Sequence, residues 1–408
     1  MKNVKKLFTV QIFTSVSIWT TLVCCIWNIG YCNGISPVKL GIMSFCFSGA
    51  MALFNGLMSA VIRPTAAKAI MLTAVAADIL INFLTKITPS NNNRVYIYIF
   101  IIASCFSIIS IAKDKLLSVE SAESAEKSEK IFKLLRFTGP ILGGIITECV
   151  AYDRIMITNM ILLLIAGTII LTIERPKTDT EKQKHETHYI TSDIYDKNKK
   201  VFIVFLILTF IVTICIQMVD AQLAEVFREV KDVSAMHIGF CIGISGIGVF
   251  LISTFFERFF VKEIFFHGGV AAMGILMAAA GCYFRNTENA KLTIIFVMFM
   301  LGGICWQTVM STHENIIKSV ETNSMMKLFS AVGIIVIFSY STGALASGFI
   351  VEKIGVASMY ILIGVILLSA AFTGKLLTEI LLVRKNDITD RRPEVGRSNQ
   401  NKRYNQEI

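Results

Sequence analysis

Twelve runs of roughly twenty apolar residues, each separated from the next by a short polar or charged tract, govern what this chain can fold into. A hydrocarbon layer about 30 Å thick is crossed by about 20 helical residues at 1.5 Å each. The runs fall near residues 8–31, 38–61, 67–88, 94–112, 135–152, 155–173, 201–222, 236–256, 265–284, 292–312, 325–350 and 354–376. No soluble fold of this length hides so many, because 54% of the 408 residues are hydrophobic and only 17% are charged, against about 45–50% and 25% in soluble domains. Within lipid each backbone N–H and C=O must be satisfied inside its own segment, so the runs are predicted to be helices and the chain an all-α polytopic membrane protein. The run from Leu7 to about Gly30 is longer than a signal-peptide core and ends without a small-x-small cleavage pattern, so it reads as a retained first span.

The basic residues predict an orientation. With both ends in the cytoplasm, the inner tracts hold Lys2, Lys5 and Lys6; Arg63 and Lys68; six cations from Lys113 to Arg136; seven from Arg175 to Lys200; Arg258 and Lys262; Lys318 and Lys327; and eight from Lys375 onward. No outer loop holds more than two. This positive-inside pattern predicts a multi-pass protein of a bacterial inner membrane, in contact with its lipids. The net charge of +10 is distributed over these tracts and forms no basic patch with interleaved aromatics, which argues against nucleic acid as a partner.

The runs divide six and six. Residues 1–174 hold the first half, 175–200 a linker of mixed charge, 201–376 the second half, and 377–408 a polar tail. The linker is expected to be a flexible or locally helical cytoplasmic connection. Glu120, Glu123 and Glu126, followed by Lys127 and Lys130, predict a short amphipathic helix at the inner surface. Two halves in one chain can complete a cavity without a partner, so a monomer is expected.

Little in the sequence suggests bond chemistry. The ten cysteines lie almost entirely in apolar runs and read as small buried hydrophobes, and His185 and His188 in the linker have no cysteine or second cluster to complete a metal site. No catalytic triad or phosphate loop GxxxxGK[ST] is present, so neither an enzyme, a cofactor nor an ATP-driven pump is expected.

One stretch carries a more specific signal. In RFTGPILGGII, Gly139, Pro140, Gly143 and Gly144 have the spacing of the second half of a GPxxGG motif. With twelve spans in six plus six and a long charged central loop, the chain resembles the major facilitator superfamily of secondary transporters over residues 8–376, and its drug and metabolite exporters in particular. The resemblance implies two halves that rock about a central cavity. Three departures accompany it. Leu135 stands where the motif's earlier glycine is expected. After the second span, GLMSAVIRPTAAK aligns Gly56 with the family's glycine and keeps the basic Arg63 and Lys68, but Ala60 takes the place of the aspartate. The fourth span also lacks the family's membrane-embedded arginine.

Candidate transport residues follow from the cost of ionisable groups at mid-bilayer, several kcal/mol unless they are paired or wet. Asp78, near the middle of the third span, is the first candidate for proton exchange or substrate contact; a local hydrogen bond or salt bridge is its structural alternative. Glu148, in the outer half of the fifth span, is either a proton-exchanging acid or a partner for Arg154. Gln217 and Asp220 share a face of the seventh span and are expected to line the outer mouth of a central cavity, Asp220 with a part in proton coupling; solvation of the helix end by Asp220 and Glu225 is the ordinary alternative. Trp27, Asn28, Asn55, Trp306 and Gln307 complete the expected cavity wall, Trp27 fitting an interfacial belt equally well, and His313 and Glu314 read as an inner gate pair or as the end of a helix. The leading functional expectation is export of a small amphiphilic compound, such as an antibiotic, a peptide-like compound or a siderophore, by proton antiport. Metabolite uptake and a non-transporting membrane sensor are the alternatives.

Overall fold

The computed structural model describes residues 2–87, 92–120, 122–174, 199–256, 263–286, 290–318 and 322–390. Residues 175–198 of the linker and the end of the tail read from the sequence lie outside these residues, as do the side chains of the predicted Glu/Lys amphipathic stretch. Every described element is helical.

The first span is Lys2–Cys24, continued by a π-helix over Cys25–Cys32. The second joins Pro37–Ser44, a π-helix over Phe45–Gly49, and Ala50–Val61. At Ile62 the backbone turns extended, and Pro64 opens the third span, Pro64–Ile87; proline is tolerated there because the first helical N–H has no partner in any case. The fourth to seventh spans are Asn92–Glu120, Ala122–Cys149, Tyr152–Leu171 and Lys199–Ala221, with a short helix Leu223–Arg228 after the seventh. The eighth is Ala235–Leu251 with a π-helix Ile252–Phe256, the ninth Glu263–Asn286 and the tenth Leu292–Lys318.

The final helix, Thr322–Asp390, is interrupted at Gly355 (φ 78°, ψ 164°). A straight helix would put Gly343 and Gly374 about 46 Å apart. Both instead touch the seventh span, Gly343 at Ile214 and Gly374 at Leu208, positions only about 9 Å apart along that helix. The chain therefore reverses at Gly355, in a left-handed conformation open to glycine, and the two arms are the eleventh and twelfth spans.

Ten described segments are long and apolar enough to cross a membrane, and the last of them, Ile335–Leu381, contains this reversal. The fifth helix is the remaining crossing. Its first half is charged, yet it is 28 residues long. The sequence places its membrane portion from residue 135. The helix itself begins at Ala122, so Arg136 lies near its middle.

The helices pack in two sets. In one, the first span lies against the fifth and sixth, the third against the fourth and sixth, and the second against the fourth; in the other, the final helix packs on the seventh and ninth, and the tenth on the eighth and ninth. The sets meet along two seams, fifth against eighth and second against eleventh. Lipid offers no hydrophobic drive for one helix to join another, so such seams depend on close approach of small residues. A Cβ added at Gly144 would lie 3.0 Å from Gly239 Cα, and one at Gly41 would lie 2.5 Å from the carbonyl oxygen of Ala344. Away from the seams, large apolar side chains such as Leu164, Ile275 and Phe372 are exposed, as a lipid-facing surface requires.

Candidate functional site: the cavity between the helix sets

Between the two sets lies a cavity of about 1130 Å³. Much of its wall is apolar, from Trp19, Ile26, Phe47, Met51, Ile99 and Phe299. Against this background stand Ser44, Ser48, Asn55, Gln217, Ser245 and Tyr340, and two charged residues, Arg136 and Asp220.

Arg136 lies one turn before Pro140. Proline carries no N–H, so the carbonyl four residues earlier, that of Arg136, has no helical partner. The eighth span approaches this point through Gly246, whose Cβ would lie 3.0 Å from that carbonyl. Asp220 is in the last turn of the seventh span. Both side chains are exposed on the cavity wall. Tyr340 lines the same cavity, and neither charged group forms an ion pair with a described residue.

Gln217, one turn before Asp220, bridges the sets. Its Nε2 donates to Ser44 Oγ at 2.8 Å and Ser48 Oγ at 3.0 Å. Both serines belong to the irregular part of the second span, where a π-helix begins at Phe45. Such local widening of a helix frequently marks functional sites.

One end of the cavity is sealed. Leu40, Leu223 and Ala224 close its floor, and three polar ties join the sets beneath them. Arg228 donates to the carbonyls of Gly30 and Ile35, the latter at 3.0 Å, and pairs with Glu225. Gln222 donates to the carbonyl of Pro37 and to Ser347 Oγ, both at 3.0 Å. Glu148 accepts from the N–H of Ala235 at 3.0 Å, satisfying a free donor in the first turn of the eighth span. Glu225 lies beyond the seventh span, and burial raises its carboxyl above the usual range while Arg228 draws it back down. At the other end the wall reaches Leu57, Ser59 and Phe338, all exposed.

The sequence candidates scatter across this geometry. Gln217, Asp220, Asn55 and Gly56 are in the cavity wall. Glu148 lies at the sealed end. Trp27, stacked on Tyr31, and Asn28, bonded to the Cys24 carbonyl, stand outside the main wall, as do Trp306 and Gln307, the latter donating to Ser311. Their helices turn other faces to the cavity. Asp78 is buried in the first set, where its carboxylate accepts from Asn82 Nδ2 at 2.9 Å. Gly139 and Gly143 pack on Trp19 of the first span, while Gly144 meets the eighth. His313 is buried near Phe266, Glu314 is exposed, and Arg63 is exposed at the break before the third span. Arg136 is the charged residue of the wall that sequence reasoning missed; it stands 13 residues, about 20 Å of helix, before Cys149, within one membrane thickness of that end.

No curated protein matches the chain, but its fold recurs among solved structures. A POT family transporter in complex with 5-aminolevulinic acid superposes with a TM-score of 0.72 and 12% identity, covering 93% of this chain and 96% of the other. A bacterial homologue of the human lysosomal transporter Spinster, in an inward-facing and unoccupied conformation, gives 0.66 and 12%, over 93% and 97%. A mutant of the nucleoside transporter NupG gives 0.65 and 14%, over 92% and 98%. The sequence pattern of the Major Facilitator Superfamily matches residues 132–336, from the fifth span across the linker into the eleventh. Twelve described spans in two sets about a central cavity, and a family pattern over half of the sequence, make this chain a member of the Major Facilitator Superfamily of secondary transporters.

Proposed function

We propose that the chain takes up a small organic metabolite by alternating access, with the two helix sets rocking about the central cavity. One observation carries the reading: the cavity between the sets holds buried and charged polar groups and is tied shut at one end by Arg228, Gln222 and Glu148. With the basic tracts in the cytoplasm, the sealed end faces outward and the described state is the one that releases solute inside. Rupture of the three ties would expose the same cavity to the other side.

Uptake of a metabolite is favoured over drug export by the cavity's polar groups and by the solutes of the structural neighbours. Those neighbours include a nucleoside transporter and POT family transporters in complex with 5-aminolevulinic acid or a thioalcohol-conjugated peptide. Asp78 supplies the proton-exchanging carboxyl. It is 4% exposed, hydrogen-bonded to Asn82, and without a cationic partner among the described residues; such a group in lipid is a functional candidate by default. The fifth-span GPILGG favours a second reading, proton-coupled export of an amphiphile. Proteoliposomes of known protein orientation decide between them: an inward proton gradient that concentrates solute supports uptake, whereas concentration against the inward gradient supports export.

A further inference from the structure

Arg136 and Asp220 line one cavity and do not pair with each other. From this we infer that the solute is a zwitterion, with an ammonium group held at Asp220 and a carboxylate held at Arg136. The inference rests on the transport reading and names its substrate class.

The surrounding groups fit that division. Gln217 Nε2 donates to Ser44 and Ser48, and among the described residues no donor reaches the amide oxygen of Gln217. That oxygen lies one turn from Asp220 on the same helix face, so the pair forms an acceptor-rich corner suited to an ammonium. Arg136 presents a planar fork of donors, the geometry that matches a carboxylate in two parallel hydrogen bonds. The two fixed charges cancel. A solute with one charge would leave either Arg136 or Asp220 uncompensated in a mostly apolar cavity, where such imbalance is costly. A zwitterion satisfies both. Trp19, Phe47 and Met51 then provide an apolar wall for a side chain. The volume of about 1130 Å³ lies just above the range of about 300–1,000 Å³ for drug-sized ligands, leaving room for a dipeptide with water.

Calorimetric titration of the purified full chain in nanodiscs tests this with three matched probes: L-alanyl-L-alanine, its N-acetyl form, which keeps only the carboxylate, and its C-terminal amide, which keeps only the ammonium. The native chain is expected to bind the zwitterion at least tenfold more tightly than either singly charged form. Arg136→Gln should bring the zwitterion to the affinity of the amide, and Asp220→Asn to that of the N-acetyl form. Equal affinity for all three, or binding of none, overturns the zwitterion assignment, and the ligand series on the native chain gives that answer even if a variant does not fold. The transport reading fails separately: a probe that binds tightly but never exchanges across proteoliposomes would contradict it and leave the recognition intact.

Discussion

Replacing Arg228 with alanine should loosen the sealed end without disturbing the rest of the bundle. The guanidinium reaches across the sets to two backbone carbonyls, of Gly30 and Ile35, and is held by Glu225. Hydrogen bonds from charged groups are worth about 1.5–3 kcal/mol each. The side chain is 26% exposed, and water replaces part of what is lost, so about 1.5–3 kcal/mol for the whole tie is a reasonable discount. That corresponds to about a 10- to 150-fold shift toward states in which this end is open. Hydrogen exchange on the full chain in nanodiscs reads the shift directly. Amides over residues 30–40 and 222–235 should exchange faster by about that factor. Those at the opposite end should not change, including the sixth-span terminus whose last carbonyls accept from Lys6 and Lys68. Unchanged exchange over both segments would show that Arg228 holds nothing shut, and would remove the latch from the mechanism.

Three further outcomes follow from the same geometry. Gly239→Ala should lower thermal stability by about 1–3 kcal/mol, the usual cost of overpacking, because the new Cβ would lie 2.8 Å from Gly144 Cα; Gly268→Ala, with nothing within 4 Å, should leave the melting temperature unchanged. Asp78→Asn should keep solute exchange at equal concentrations but abolish accumulation driven by a proton gradient, measured in the same proteoliposomes; retained accumulation would dismiss Asp78 as the coupling group. Burial raises the Glu225 carboxyl at the closed end, so proton binding favours the closed form: the seal should be firmest at acid pH and loosen as pH rises through the raised value. Exchange over residues 222–235 measured against pH, flattened by Glu225→Gln, checks that sign.

The spans were legible because a bilayer fixes their length, and Pro64 marked the boundary between the second and third. The fifth is harder to read: its first half, AESAEKSEKIFK, is too charged for a hydropathy window, so Arg136 reads with the cytoplasmic cations although it lies at mid-helix and lines the cavity. Spacing placed Gln217 and Asp220 on one face, and both stand in the cavity wall. Trp27, Asn28, Trp306 and Gln307 show the limit of that approach. Polar and aromatic residues within a span announce something other than lipid, but only the packing of neighbouring helices decides whether they meet the cavity, another helix or a helix end. The ties of Arg228, Gln222 and Glu148 mostly engage backbone groups, and a backbone carbonyl or N–H leaves no mark in a sequence.

Alternation of the cavity between its two ends is the central claim, and paired spin labels measure it most directly. Cys32, Cys149 and Cys282, the exposed cysteines, would be changed to serine, one pair of labels placed at residues 33 and 229 across the sealed end and another at residues 59 and 338 across the opposite end. The account predicts two distances for each pair, shifting in opposite directions as solute or a proton gradient is applied, so that one end closes as the other opens. A single unchanged distance at both ends under every condition would contradict it.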